Sequence, residues 1–369
     1  MHRDGLHHIS YHMTMHNGLW YHKFKPPSLA PAQINKMNDA CLSNLWHGRL
    51  AHAGHSIMDT IHNHVIGIDK ALKRNPLHKC GSCLPNKMSK SSHKRTAKHK
   101  SKHKTIQVHE STLPPPSEDD PFYMDDPEIA SSSAGQHFHM DFGFVWGSEY
   151  VVKSENQPTI TSIDGYNSYL IIVDRVTRYI WIFLTTSKAP PITIAQKVLN
   201  KFKCKNPHRT VRTDQGGELG MSHEFQKMVA NENFSLEVTG ADASAQNAIA
   251  ESPNKHLANM MRCLLHAADL GPEYWSFALR HAVYIKNRIP HAFIKKTPYE
   301  ALTGIKPNIT NLRTFGCRVF VRKPGDKPAK LDHHTSNGIF VGYTATTKNV
   351  YYIDDASLNV KNWSTRFIR

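Results

Sequence analysis

Cysteine is scarce: six among 369 residues, at 41, 80, 83, 204, 263 and 317, with only Cys80 and Cys83 close together. That usage excludes a disulfide framework and points to a reducing compartment. No apolar run approaches the ~20 residues that a membrane-spanning helix needs, and the His-rich start is not a secretory signal. A soluble chain with no membrane partner is expected. Acidic residues are in deficit, 30 against 46 Lys and Arg, which leaves a formal net charge of +16. An excess of that sign points to a polyanionic partner, nucleic acid before membrane.

The deficit is concentrated. From Lys87 to Lys104 there is no acid, and Lys87, Lys90, Lys94, Arg95, Lys98, Lys100, Lys102 and Lys104 follow one another closely. A solvated, disordered arm of this kind grips phosphates without needing a fold. Residues 105–136 then carry no Lys or Arg but seven acids, a Pro triplet at 114–116 and a Ser run at 131–133, the composition of a disordered linker. Within it, FYMDD (Phe122–Asp126) has the look of a polymerase active-site box. Pro121 and Pro127 bracket it, and that box needs apolar strands on both sides to form a hairpin.

What is present in specific spacing comes first as His47, His52, Cys80 and Cys83, an H-x4-H-x27-C-x2-C array. Two imidazoles read as lying on one helical face, joined by a C-x2-C knuckle, supply four ligands for one closed tetrahedral Zn²⁺. With no position left open, its role is structural. His55, His62, His64 and His78 are nearby spares.

Three acids then stand out. Asp141 lies in HFHMDFGFVW, an alternating strand-like run; Asp214 ends the short β-rich run before Gln215, Gly216 and Gly217; Glu251 opens an apolar-periodic helix on which Ile249, Leu257, Met260, Met261, Leu264 and Leu265 share a face. A carboxylate where a strand meets a Gly-rich turn sits where open α/β sheets place their chemistry. Three acids can hold two divalent ions about 3.5–4 Å apart, which clamp the oxygens of a phosphodiester under attack. Without metal the acids repel, by roughly 4 kcal/mol per pair of charges 4 Å apart at an effective dielectric near 20.

TDQGGE, QNxxxE and an Asp in the first strand, in this order, resemble the catalytic core of retroelement integrases and DDE transposases, the Copia-type retrotransposon integrases above all. NGLWYHKF and LWHGRLAHAGH are similar to that family's pre-integrase segment, with Ala51 where members carry Gly. The resemblance runs from about residue 17 to the C-terminus, apart from the linker, and implies an α/β multidomain chain. Its parts are an N-terminal leader (1–35), a small helical HHCC zinc domain (36–90), a basic-then-acidic linker (91–136), an RNase H-like mixed-sheet catalytic core (137–290) and a small SH3-like β-barrel (291–369). Within the core, strands are expected at 137–146, 168–174 and 178–185, in the order β-β-β-α-β-α-β-α. Trp275, Phe277 and Tyr284, at helical spacing, are read as core and not as a base-stacking stripe.

The function so implied is Mg²⁺- or Mn²⁺-dependent strand transfer by Asp141, Asp214 and Glu251. A 3′-hydroxyl of element DNA attacks a target phosphodiester, with 3′-end processing as a further step. Partners would be the element ends, target DNA and further copies of the chain, in the nucleus at integration and in a cytoplasmic particle before. Lys87–Lys104, Asn247, Lys255 and Arg262 are the candidate DNA contacts. Asp174, in VDRVTRY, reads as a structural or helper acid at a sheet end. The motif departs from the family where Ala248 replaces Gly, Ser252 replaces Arg and Pro253 enters the helix, so a DNA-binding remnant without catalysis stands as the alternative, and an RNase H-type nuclease is a weaker third reading. No protease, polymerase or RNase H follows, as in a piece of a longer polyprotein.

Overall fold

A computed structural model describes residues 13–16, 19–22, 41–70, 72, 80–87, 134–146, 159–187, 189, 191–202, 208–214, 219–239, 248–322, 335–344 and 349–364. The basic arm beyond Lys87, the acidic linker as far as residue 133, and Asn247 lie outside them.

A hairpin of β1 (Met13–His16) and β2 (Leu19–His22) comes first. A helix over residues 41–49 (α1), α2 (His55–Thr60) and α3 (Cys83–Lys87) build the His/Cys segment. Then come β3 (His137–Phe144), β4 (Ser168–Asp174), β5 (Ile180–Thr185), α4 (Ile192–Lys201), β6 (Thr210–Asp214), α5 (His223–Asn231), β7 (Ser235–Thr239) and α6 (Ala248–Ala268). This is the element order expected from the sequence. The strands form one mixed sheet in the order β5-β4-β3-β6-β7, antiparallel from β5 to β3 and parallel from β3 to β7. Strand order and direction together are those of an RNase H-like core.

Both faces of the sheet are covered, which is why β4 (SYLIIVD) is apolar at nearly every position and buried throughout. Phe138, Met140, Leu170, Ile172, Trp181 and Phe183 face α4 and α5 in one core. The alternate residues Tyr169, Ile171, Val173, Ile180, Ile182 and Leu184 join a second core with α6 and α7 (Trp275–Arg288). Period-two alternation thus sends every second side chain to a different helical layer. Trp275, Phe277 and Tyr284 are buried in the second core, as read from their spacing.

After α8 (Pro298–Thr303), the strands β8 (Arg318–Arg322), β9 (Thr335–Tyr343), β10 (Asn349–Asp354) and β11 (Val360–Ser364) make an antiparallel meander in the order β11-β10-β9-β8. The second core continues into this sheet through Phe340, Val341 and Tyr343, and into the His/Cys segment through Trp46, Leu50, Met58, Ile61, Val65 and Ile68. Three sequence segments therefore share one apolar interior.

His281 lies inside that interior. It is fully buried among the rings of Phe315, Phe340 and Tyr343, and neither ring nitrogen has a hydrogen-bond partner among the described residues. Burial pulls its pKa down to about 3. The unfolded chain then binds a proton that the folded chain refuses, so stability is full above the ordinary histidine value of about 6.5 and falls as pH drops below it, by about 1.4 kcal/mol per unit. In acid denaturation from pH 7 to 5, His281→Phe is expected to flatten that loss; an unchanged slope would mean that other groups set it.

Candidate active site and metal centre

The His/Cys quartet is assembled by a helix ending. His47 stands on α1, which stops at residue 49, and the expectation that both histidines share a helical face does not hold. The amide of His52 donates to the His47 carbonyl (2.8 Å) and that of Ala51 to the Gly48 carbonyl (3.2 Å), the two bonds of a Schellman ending. Ala51 and His52 both take left-handed backbone angles, φ 50° and 60°. The position where the resembling family carries Gly is thus the one where a glycine escapes a steric cost of about 1 kcal/mol. The turn folds His52 back over the helix end toward His47.

The donor atoms of His47, His52, Cys80 and Cys83 lie within 4.8 Å of one another. His47 Nε2 and His52 Nδ1 are 3.3 Å apart, as are Cys83 Sγ and His47 Nε2, and Cys80 Sγ and His52 Nδ1. A tetrahedral Zn²⁺ with N at ~2.05 Å and S at ~2.3 Å requires N···N edges of ~3.3 Å and N···S edges of ~3.6 Å. The quartet therefore has the size and chemistry that zinc needs. His47 Nδ1 bonds the Ala53 carbonyl at 3.1 Å, which leaves Nε2 for a metal. Burial raises the Cys80 thiol above its usual range, so a bound cation is what would favour its thiolate.

The knuckle rests on α6. Cys263 Sγ donates to the Ser82 carbonyl (3.6 Å), His266 Nδ1 pairs with Ser82 Oγ (3.2 Å), and Arg262 Nη2 donates to the Asn86 carbonyl (3.4 Å). Lys87 turns its amine onto the His52 carbonyl. Two of the candidate DNA contacts, Arg262 and Lys87, thus already support the His/Cys segment. Lys255 is exposed on α6.

The acids stand on two strands of the sheet and in the first turn of α6. Strands β3 and β6 run parallel, with Phe138 beside Val211 and His139 beside Arg212. Two residues further along each strand stand Asp141 and Asp214. Because Phe138 and Val211 face the α4/α5 core, alternation turns Asp141 and Asp214 to the face covered by α6. Asp214 ends its strand and is exposed; Gly220 passes so close that a Cβ there would come within 2.5 Å of the Asp214 carbonyl. Glu251 lies in the first turn of α6, which continues through Pro253 to Ala268 without a break. Carboxylates on neighbouring strands offer oxygen donors, the type that suits Mg²⁺ or Mn²⁺.

Asp174 is elsewhere. It pairs with Phe138, near the start of β3, and is fully buried. It accepts from the amides of Gly135 (2.9 Å) and Thr177 (2.7 Å) and from Thr177 Oγ1 (2.6 Å). Burial raises its pKa against those bonds. It fastens the β4–β5 turn.

Two residues that sequence reasoning passed over belong to the acid site. Asn254 Nδ2 donates to Asp141 Oδ2 at 2.6 Å, and Tyr169 Oη donates to Asn254 Oδ1 at 3.4 Å. Asn254 follows Glu251 by three residues, one helical turn, and that spacing is the signal that could have found it.

No protein-family model matches the chain. It is 27% identical over 310 residues to the retrovirus-related Pol polyproteins from transposons RE1 and RE2 of Arabidopsis thaliana, covering 82% of this chain and 18% of each relative. It is 28% identical over 189 residues to the Pol polyprotein from transposon TNT 1-94 of Nicotiana tabacum, covering 50% of this chain and 14% of that one. The chain spans less than a fifth of the length of these relatives. Among solved structures, the HTLV-2 integrase catalytic core domain in complex with magnesium is 13% identical with a TM-score of 0.33, over 47% of this chain and 99% of that one. A simian T-cell lymphotropic virus intasome in complex with a PP2A regulatory subunit is 12% identical with a TM-score of 0.33, over 66% and 83%. The homologues of the chain are Pol polyproteins from Copia-type retrotransposons.

Proposed function

We propose that the chain is the integrase portion of a Copia-type Pol polyprotein, which joins a 3′-hydroxyl of element DNA to a target phosphodiester. One observation carries this reading: Asp141 and Asp214 come to the same face of two adjacent parallel strands, the face on which α6, the helix that bears Glu251, packs against β3. Those three acids would hold Mg²⁺ or Mn²⁺. When bound, a pair of such ions neutralises charge on the attacking, leaving and non-bridging oxygens. The residues themselves supply geometry. The sheet fixes two carboxylates, and α6, which bears Glu251 in its first turn, brings the Asn254 amide against Asp141.

The rest of the chain is read accordingly. His47, His52, Cys80 and Cys83 hold a structural zinc, the basic arm grips DNA, the C-terminal meander is the SH3-like unit, and two DNA ends call for a multimer. Pro253 motivates the rival reading of a DNA-binding remnant, and an α6 that runs through it unbroken favours the enzyme. The deciding experiment incubates zinc-loaded protein with labelled terminal-repeat duplex and plasmid in Mg²⁺ or Mn²⁺. Joined product supports the integrase; DNA binding without product, by a folded zinc-loaded chain, supports the remnant.

The arm makes its own prediction. If about six of its eight charges engage phosphates, affinity for duplex DNA falls roughly 10³-fold between 50 and 200 mM salt. Replacing Lys94, Arg95, Lys98 and Lys100 with Gln should flatten that dependence, measured by fluorescence anisotropy. An unchanged slope would move the DNA contact elsewhere.

A further inference from the structure

We infer that Asn254 is a positioning residue for the acid site, resting on the reading above: its side-chain amide holds Asp141 in the orientation that binds a divalent cation, and Tyr169 sets which way that amide points. Gly143, Tyr169, Asn254 and Asp141 form one connected chain. Gly143 is two residues past Asp141 on β3, hence on the same face, and is paired directly with Tyr169 on β4. The Tyr169 ring lies over it so closely that a Cβ at 143 would sit 2.0 Å from the ring. The missing side chain is what lets the ring lie across the strand and carry its hydroxyl to α6.

The hydroxyl then settles the orientation of the amide. Burial first, and the negative charge of Asp141 second, push the Tyr169 pKa up from its ordinary value, so the phenol keeps its proton and is a donor. Its partner on Asn254 is Oδ1, at 3.4 Å. The other end of the amide, Nδ2, is thereby turned to Asp141 Oδ2, at 2.6 Å. The tether at Oδ2 fixes the plane in which the Asp141 carboxylate would meet a cation. A tether of this kind removes rotational freedom that metal binding would otherwise have to remove, and groups that orient a ligand in this way are each worth 10–100-fold in metal affinity or activity.

The test uses the full, zinc-loaded chain and Mn²⁺ as probe, titrated by electron paramagnetic resonance, with strand transfer followed in parallel. Asn254→Leu keeps the bulk and removes the donor; Tyr169→Phe keeps the ring and removes only the hydroxyl. Expected are roughly 10–100-fold weaker Mn²⁺ binding for Asn254→Leu and a smaller loss in the same direction for Tyr169→Phe. Thermal midpoint and zinc content of Tyr169→Phe should stay at wild-type values. Asp141→Asn sets the level at which the site is lost. Mn²⁺ affinity within twofold of wild type in both variants overturns the proposal, as does a wild-type chain that binds no more Mn²⁺ than Asp141→Asn. Wild-type protein that binds Mn²⁺ through Asp141 and Asn254 yet joins no DNA would leave this inference standing and remove strand transfer instead.

Discussion

Asp214→Asn, Asp141→Asn and Glu251→Gln should each remove joined product by about 10³-fold or more while leaving DNA binding within a few-fold of wild type. Metal at such a site contributes several kcal/mol of charge stabilisation in the transition state, and each 1.36 kcal/mol is a factor of ten in rate. The changes are nearly isosteric. Asp214 is exposed at the end of β6, so its loss should not disturb the sheet, and an Asn at 141 still presents an oxygen to the Asn254 amide. Asp174→Asn is the informative contrast. That carboxylate accepts three bonds near the opposite end of β3, and an amide cannot satisfy all three donors, so stability should fall by about 1–3 kcal/mol with the rate per folded molecule unchanged. Gel-resolved strand transfer, normalised to folded protein by circular dichroism, separates the two classes. Full activity in Asp214→Asn would remove this acid from the mechanism, and loss of turnover in well-folded Asp174→Asn would bring a fourth acid into it.

Loss of zinc is expected to be the other large effect, and to reach beyond the zinc segment. A structural Zn²⁺ contributes on the order of 10–16 kcal/mol to the folding of a small zinc module. Here Trp46, Leu50, Ile61 and Val65 belong to the same apolar core as Leu257, Leu264 and Trp275, and the knuckle is bonded to α6 at Arg262, Cys263 and His266. Releasing the segment strips one side of the helix that carries Glu251. Cys80→Ser with Cys83→Ser, or chelation, should therefore lower the thermal midpoint by roughly 10 °C or more and expose Trp46 to fluorescence quenching. It should also weaken strand transfer, even though no acid has been touched. Bound zinc below one per chain, with an unchanged midpoint, would contradict the structural role.

What the sequence determined by itself is the local part. Strand β4 runs from Ser168 to Asp174, as its apolar run predicts, and Asp214 closes a strand before a glycine-rich stretch. These features were legible because a buried strand is a short run of β-branched and aromatic residues bounded by turn residues. Tertiary structure alone decided which acids become neighbours. Period-two alternation tells which residues share a face, but the register of β3 against β6, and hence the alignment of Asp141 with Asp214, comes from pairing and burial between segments far apart in the chain. It also turned the two histidines inward through a left-handed helix ending, where spacing suggested one helical face. Asn254 reaches Asp141 across 113 residues, His281 became buried only when β9 closed over α7, and the C-x2-C knuckle came to rest on α6. Each depends on which surfaces of distant segments exclude water together, and no local pattern encodes that.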